Sequence, residues 1–382
     1  MAQNNRIFFV CFMIVWALLI VLNFIIQPDE FSEIENRYLA KLPKLELEEV
    51  VSGEYSEKLD TYINDHFIFR PFFVGLKTEW EKLLGKKESN SIYFGKQQYL
   101  LEKYMTPDEK KIDTIVQTIQ NFQTNNPEIK LTMLLAPTSV EINQDKLPKF
   151  AINASEEETI HSIYQALPEV ITIDVIPALK EENVKGKQTY FRLDHHWNTY
   201  GAFVAYQEYC NTLGIMPYQE SDFEKEIVSR DFQGTNYSRS GEYLYKPDTI
   251  EKYVPKFPVE YKVSYVPLDS KDGKLVQTDS FYFEEYLHTK DKYSYFLNNN
   301  PANMIIENSK AKEDKEILVL KDSYANIFLP FLANHYSKIH ILDLRYYNVS
   351  VSEYCMENHI DQILFLYNIL TLDEDLGILK LR

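Results

Sequence analysis

The sequence predicts a mixed α/β protein, a mostly parallel sheet with helices packed against it, preceded by a membrane-spanning helix. Three observations predict this class. Short continuous apolar runs, KLTMLL (130–135), VITIDV (170–175), ILVL (317–320), IHILDL (339–344) and DQILFLYN (361–368), alternate with helical stretches. Runs of that length without polar alternation suit strands buried on both faces, as in parallel sheets. Apolar residues make up 45% of the 382, enough for a packed core. Residues 7–26, IFFVCFMIVWALLIVLNFII, have Asn23 as their one polar member.

That N-terminal run, as a helix, spans about 30 Å, the thickness of a bilayer core. The exit NFIIQPDEFSE offers no small-x-small cleavage site, so the segment reads as an uncleaved anchor. Arg6 precedes it, and Asp29, Glu30, Glu33 and Glu35 follow. The positive-inside rule then puts residues 1–6 in the cytoplasm and the rest outside, a single-pass cell-membrane topology. Residues 27–90 read as a polar, partly helical neck, with Leu59, Tyr62, Ile63 and Phe67 at helical spacing.

From residue 91 to 382 the pattern is that of one domain. SIYFGKQQYLL reads as a pair of short strands. Helices are predicted over 107–124, near 155–166, and over 199–213 with Asn198 or Thr199 as N-cap. Residues 220–310 break the rhythm: they are rich in Tyr, Asp, Lys and Asn, and VEYKVSYVPL and DSFYFEEYL read as β-type runs. They are expected to form a β-rich insertion. The αβ rhythm then resumes, with EILVLKDSYANIFLPFLANHY as strand, turn and helix.

Composition excludes several function classes. A net charge of −17 with no basic stripe repels nucleic-acid phosphates. Three cysteines without a C-x-x-C make neither a thiolate zinc site nor a disulfide framework, and leave open only a Cys210–Cys355 pairing. Nothing calls for a cofactor. The 28 Tyr suit both a core and a sugar-facing cleft, since the ring is apolar and its tip polar.

Two stretches carry chemistry. In KDSYAN, Ser323 follows a buried strand and opens a helix. The carboxyl end of a parallel strand is where open α/β sheets place ligands, and a helix N-terminus stabilises a developing oxyanion. A bare hydroxyl still needs a base. The quartet Asp194-His195-His196-Trp197 supplies one. In an extended loop, positions i and i+2 share a side, so Asp194 can orient His196 while His196 takes the serine proton. Asn368, ending the strand ILFLYN, is a candidate second oxyanion donor. Arg345, Tyr324 and Trp197 are candidate substrate contacts; Arg345 would meet the triad aspartate or an acyl carboxylate, or else form half of a surface ion pair. The quartet has two other readings. One is a metal site, for which no second cluster stands out beyond NDHF at 64–67. The other is a structural loop with Trp197 buried, and Ser323 a plain N-cap.

The quartet, the KDSYAN turn and the neck motif FSEIENRYL together resemble the bacterial DHHW protein family, which is similar to the alginate O-acetylation proteins of the SGNH hydrolase superfamily. The resemblance runs from about residue 31 to the C-terminus. It implies a three-layer α/β/α sandwich, a triad of Ser323, His196 and Asp194, and acyl-ester chemistry on a cell-surface polysaccharide. It also implies partnership with a multi-spanning membrane acyltransferase. The superfamily's Asn block maps to Asn368. Two departures stand out: Lys321-Asp322-Ser323 replaces the usual Gly-Asp-Ser, and Asp-x-His replaces Asp-x-x-His, with the histidine preceding the serine. The expected function is a membrane-anchored extracellular O-acyltransferase or carbohydrate esterase. Its rivals are a non-catalytic glycan-binding or scaffold module of a polysaccharide-modification complex, and a metal-dependent phosphoesterase.

Overall fold

The computed structural model describes residues 2–26, 30–268, 270, 273–348, 350–374 and 376–381. Met1 of the expected cytoplasmic tail and Asp29 of the acidic flank lie outside the described residues. The chain divides into two compact units, residues 1–89 with 237–245, and 90–236 with 246–382.

The first unit begins with helix α1 (Ala2–Ile25), long and apolar enough over Arg6–Asn23 to cross a membrane. A six-residue helix (Leu47–Ser52) and two longer ones, α2 (Glu54–Asp65) and α3 (Arg70–Leu83), follow. Gly53 at φ 87° starts α2 from a left-handed turn that favours glycine. Phe69, also left-handed, and Pro71 in the first turn of α3 separate the two helices. The FSEIENRYL stretch holds them by charge. Arg37 reaches Asp65 with two nitrogens at 2.9 and 2.6 Å, and both Arg37 and Arg70 pair with Glu35. The Arg37 hydrogen bonds hold Asp65 down to about 2 against the opposing effect of burial. Asp65 also accepts from Ala40 N, and His66 Nε2 lies 2.8 Å from the Ala40 carbonyl. The acid and imidazole of NDHF are thus committed to fastening the neck.

The second unit opens with the expected hairpin, β1 (Ile92–Phe94) against β2 (Leu100–Glu102). Helix α4 (Glu109–Asn125), strand β3 (Lys130–Ala136), helix α5 (Glu156–Ala166) and strand β4 (Ile171–Thr172) follow. Asp108 and Ser155 cap the two helices through side-chain oxygens. Helix α6 (Thr199–Leu213) starts at Asn198, whose Oδ1 accepts from Gly201 N at 2.9 Å, and ends at left-handed Gly214. Strands β5 (Phe223–Phe232) and β6 (Asp248–Pro255) form an antiparallel ribbon. Then come β7 (Tyr261–Tyr265), β8 (Val276–Thr278), β9 (Asn303–Asn308), β10 (Glu316–Lys321), helix α7 (Ala325–Leu332), β11 (Lys338–Leu342), helix α8 (Val351–Asn358) and β12 (Gln362–Asn368).

Eight strands make one sheet in the order β8-β7-β9-β11-β10-β12-β3-β4. Neighbours from β11 to β4 are parallel, and those from β8 to β11 antiparallel. After its first residue each of β3, β10, β11 and β12 is buried throughout, the signature that made these runs readable. Helix α7 is buried along its whole length and packs on α6, with Tyr209 edge-on to Phe328 at 5.9 Å.

Four expectations need correction or refinement. DSFYFEEYL is a bend and a 3-10 turn (Glu284–His288), and its β pairing among the described residues is the isolated bridge Tyr282–Phe296. Phe281 and Phe283 are buried as separate anchors, without a ladder. VITIDV yields a strand of two residues before Asp174 Oδ1 accepts from Ile176 N and starts a helix. The 220–310 segment supplies β7, β8 and β9 to the edge of the main sheet, and its residues 237–245 belong to the first unit. Cys210 and Cys355 are both buried and both free thiols.

Candidate active site

Three chain segments converge at the carboxyl end of β10. The serine turn comes first. Lys321 pairs in register with Leu366 of β12, and Asp322 N continues the ladder by donating to Leu366 O. The Asp322 carboxylate then accepts from Tyr324 N at 2.8 Å and from Asn368 N at 2.7 Å. Those two bonds fix the turn and lift Ser323 to the rim, where it is half-buried while its neighbours are buried. Helix α7 begins two residues later, with Tyr324 at its N-cap, so Ser323 sits one position ahead of the cap. Among the described residues the Ser323 N–H has no hydrogen-bond partner.

Lys321, standing where a glycine was expected, is wholly buried. Its Nζ donates to Asn300 Oδ1 at 2.7 Å and Asn326 Oδ1 at 2.6 Å. Burial, opposed by Asp343, pushes its amine down to about 8.

The quartet is the second segment. Residues 192–196 are bends, and the arrangement depends on a turn more than on extension. Asp194 Oδ1 accepts from His196 N at 3.0 Å, a local side-chain-to-backbone bond that brings the ring of His196 back over the same oxygen. His196 Nδ1 lies 2.6 Å from Asp194 Oδ1, and His196 Nε2 lies 2.7 Å from Ser323 Oγ. The separation in sequence is 127 positions. His195 does not point cleanly away, as alternation predicts: its ring lies 3.8 Å from that of His196, and its Nδ1 is 3.7 Å from Asp194 Oδ2.

Residues 234–235 form the third segment. Thr235 N donates to Asp194 Oδ2 at 2.8 Å. A Cβ on Gly234 would meet that same oxygen at 2.1 Å, so the backbone approaches as only glycine permits.

Burial and charge set the protonation states. Burial raises the Asp194 pKa, but the charges on His195 and His196 and the His196 hydrogen bonds outweigh it, leaving the carboxyl well below the usual range. Burial, aided by charge on His195, pushes His196 down to about 4 against the pull of Asp194. At neutral pH the pair is therefore a carboxylate and a neutral imidazole. With Nδ1–H directed at Asp194, Nε2 is free to accept from Ser323 Oγ.

The remaining sequence candidates fall differently. Trp197 and Tyr324 are buried, Trp197 Nε1 donating to Tyr324 O at 2.9 Å and Tyr324 Oη donating to His195 O. Both, expected as substrate contacts, are enclosed in the packing around the loop. Arg345 is clamped by Nε and Nη2, at 2.8 and 2.6 Å, on Asp343, which is buried, so the pair does not lie on the surface. Asn368 lies on the same rim as Ser323 because β12 is parallel to β10. Its Nδ2 donates to Ala136 O at 3.0 Å and its Oδ1 accepts from Leu370 N.

Asp194, His195 and His196 each bring a ligand atom within 4.8 Å of the others. A metal would have to displace the bonds that occupy both nitrogens of His196. A groove of about 720 Å³ includes Arg192, Asn198 and Thr199, which flank the quartet, but none of Asp194, His196 and Ser323.

Sequence reasoning missed Tyr293, Gly234 and Thr235. Tyr293 stacks on His196, with ring centroids 3.7 Å apart and planes 8° from parallel, and donates to Ser323 O at 2.8 Å. All three lie in the segment set aside as an insertion, where no spacing tied them to the quartet.

Fold and site define a class: a mixed α/β protein with a large, mostly parallel sheet that brings a serine, a histidine and an aspartate together at its rim. The chain belongs to the DHHW protein family, whose sequence pattern matches residues 93–342. No curated protein matches it in sequence. A DHHW family protein from Eubacterium siraeum has a similar structure, with TM-score 0.66 and 21% identity over 77% of this chain and 95% of that one. Bacillus cereus PatB1 with a sulfonyl adduct gives TM-score 0.65 and 24% identity over 76% and 98%. The O-acetyltransferase domain of Pseudomonas putida AlgJ gives 0.47 and 12% over 75% and 93%.

Proposed function

We propose that this chain is a membrane-anchored, SGNH-like serine O-acyltransferase or esterase that acts outside the cell on a surface polysaccharide. One observation carries the reading: His196 stands 2.6 Å from Asp194 and 2.7 Å from Ser323, through its two opposite nitrogens. Ser323 Oγ attacks an acyl carbonyl while its proton passes to His196 Nε2. Asp194 holds the tautomer and stabilises the imidazolium. The Ser323 N–H is the first oxyanion donor. Asn368 supplies the second, through the Nδ2 hydrogen it does not give to Ala136. The proton returns to the leaving group, and an acyl-serine remains. A sugar hydroxyl, or water, then attacks it with His196 again as base.

Helix α1 is read as the anchor, with the N-terminus inside. A multi-spanning membrane acyltransferase is read as the acyl supplier. The sulfonyl adduct carried by PatB1 recommends the probe. The full chain, in detergent, is treated with p-nitrophenyl acetate and with a sulfonyl fluoride. Acetate release and a mass shift of the wild type, both abolished in Ser323→Ala, support the enzyme. A folded wild type that neither reacts nor releases acetate favours the glycan-binding module. Activity lost to a chelator points to the metal reading.

A further inference from the structure

Helix α3 carries an apolar stripe that none of the described residues of its unit covers. Phe72, Phe73, Leu76, Trp80 and Leu83 occupy one arc of the helix, and Phe69 and Leu84 extend it at either end. Phe72 is 55% exposed, Trp80 63% and Leu83 79%. The opposite face is the packed one. A Cβ on Gly75 would touch Leu244 at 3.4 Å, Thr78 is buried, and Lys82 bonds to Glu242 at 2.7 Å. An amphipathic helix normally buries its apolar arc against its own core. Here the glycine face is inside and the aromatic face outside.

The position of the stripe identifies what covers it. Asn23, in the last turns of α1, accepts through Oδ1 from Ile68 N at 2.8 Å. That bond fastens the chain just before α3 to the end of the apolar helix. A cavity of about 950 Å³ at the same place is lined by Trp16, Leu19 and Ile20 of α1 together with Phe67 and Phe69. If α1 crosses the bilayer, the beginning of α3 lies at its surface.

We propose that α3 lies in the headgroup–acyl boundary of the membrane, with the Phe72–Leu83 arc immersed in lipid. Phe and Trp suit that layer, where an apolar ring body meets a wet, polar edge. The inference rests on reading α1 as a span.

The test uses full-length protein with Cys11→Ser; Cys210 and Cys355 are buried. One cysteine is added at Leu76, Trp80, Lys87 or Ile14 and labelled with an NBD dye in lipid nanodiscs. Doxyl-labelled phosphatidylcholine quenches from the lipid side, and iodide from the water side. Leu76→Cys and Trp80→Cys labels are expected to lose about half their emission or more to doxyl lipid and to be shielded from iodide, with Lys87→Cys the reverse. Labels at 76 and 80 that iodide quenches as fully as the label at 87, and doxyl lipid leaves alone, overturn the proposal. If those labels become shielded only in native vesicles, a membrane protein covers the arc and the lipid assignment falls. An Ile14→Cys label untouched by doxyl lipid removes the span itself, and the inference with it. Quenching at 14 without quenching at 76 or 80 removes the inference alone.

Discussion

Tyr293 lies flat on His196, 3.7 Å between ring centroids, while its hydroxyl donates to the backbone carbonyl of Ser323 at 2.8 Å. One side chain thereby shields the imidazole and holds the serine beside it. Tyr293→Phe keeps the stack and loses one hydrogen bond, worth about 1 kcal/mol. Thermal unfolding should register that loss, with p-nitrophenyl acetate turnover reduced less than tenfold. Tyr293→Ala admits water to His196 and relieves part of the burial that lowers its pKa. The acid limb of kcat/KM should then move up from about 4 toward 6.5.

The same burial makes stability depend on pH. Folded His196 stays neutral down to about 4, whereas the unfolded imidazole takes a proton near 6.5. Between those values the unfolded state binds more protons, so stability falls as pH drops through the window. The His196 share is the difference between wild type and His196→Gln in urea denaturation at pH 7 and pH 4.5, since His335, also pushed down to about 4 by burial, adds to the loss and Glu156, pushed up to about 8 by burial, opposes it.

Asp194→Asn preserves size and removes charge. The amide donates where the carboxylate accepted, which turns the imidazole to the wrong tautomer. Turnover should fall by about 10⁴-fold, with the melting temperature changed far less than activity. Retention of activity within tenfold would remove Asp194 from the mechanism.

Gly234→Ala forces a methyl into the space of Asp194 Oδ2, 2.1 Å from the ideal Cβ position. The strain should cost about 1–3 kcal/mol and spoil the Thr235 N–H bond. Turnover should fall steeply while the protein remains folded by circular dichroism. Wild-type turnover in this variant would mean that the close approach is not needed.

The central sheet was legible because β3, β10, β11 and β12 are buried on both faces and so lack polar alternation. The start of α6 was legible because Asn198 caps it. The Asp194–His196–Ser323 grouping was approachable because a strand-to-helix serine and a carboxylate–imidazole pair each have a local signature. The mode of pairing was not: Asp194 and His196 meet through a turn that their spacing does not distinguish from an extended strand. DSFYFEEYL imitated a strand because it is rich in aromatics, although Phe281 packs on Tyr261 and Phe283 on Tyr265 without a ladder. Gly234 and Tyr293 left no trace, since their importance is a distance to residues 40 and 97 positions away in the chain. The burial of Lys321 depends on Asn300 and Asn326, and no sequence pattern joins the three.

Strand β12 is the latest-synthesised strand of the main sheet, yet it sits between β10 and β3. Without residues 362–368 the sheet is divided into five strands, β8 to β10, and two, β3 and β4, with no strand to join them. Emergence must be followed by a late insertion that closes the gap and, through Asn368 N and Asp322, sets the serine turn. Folding governed by such distant pairing is slow. A chain cut before residue 362 should accordingly accumulate as a protease-sensitive, aggregating species with no reactive serine.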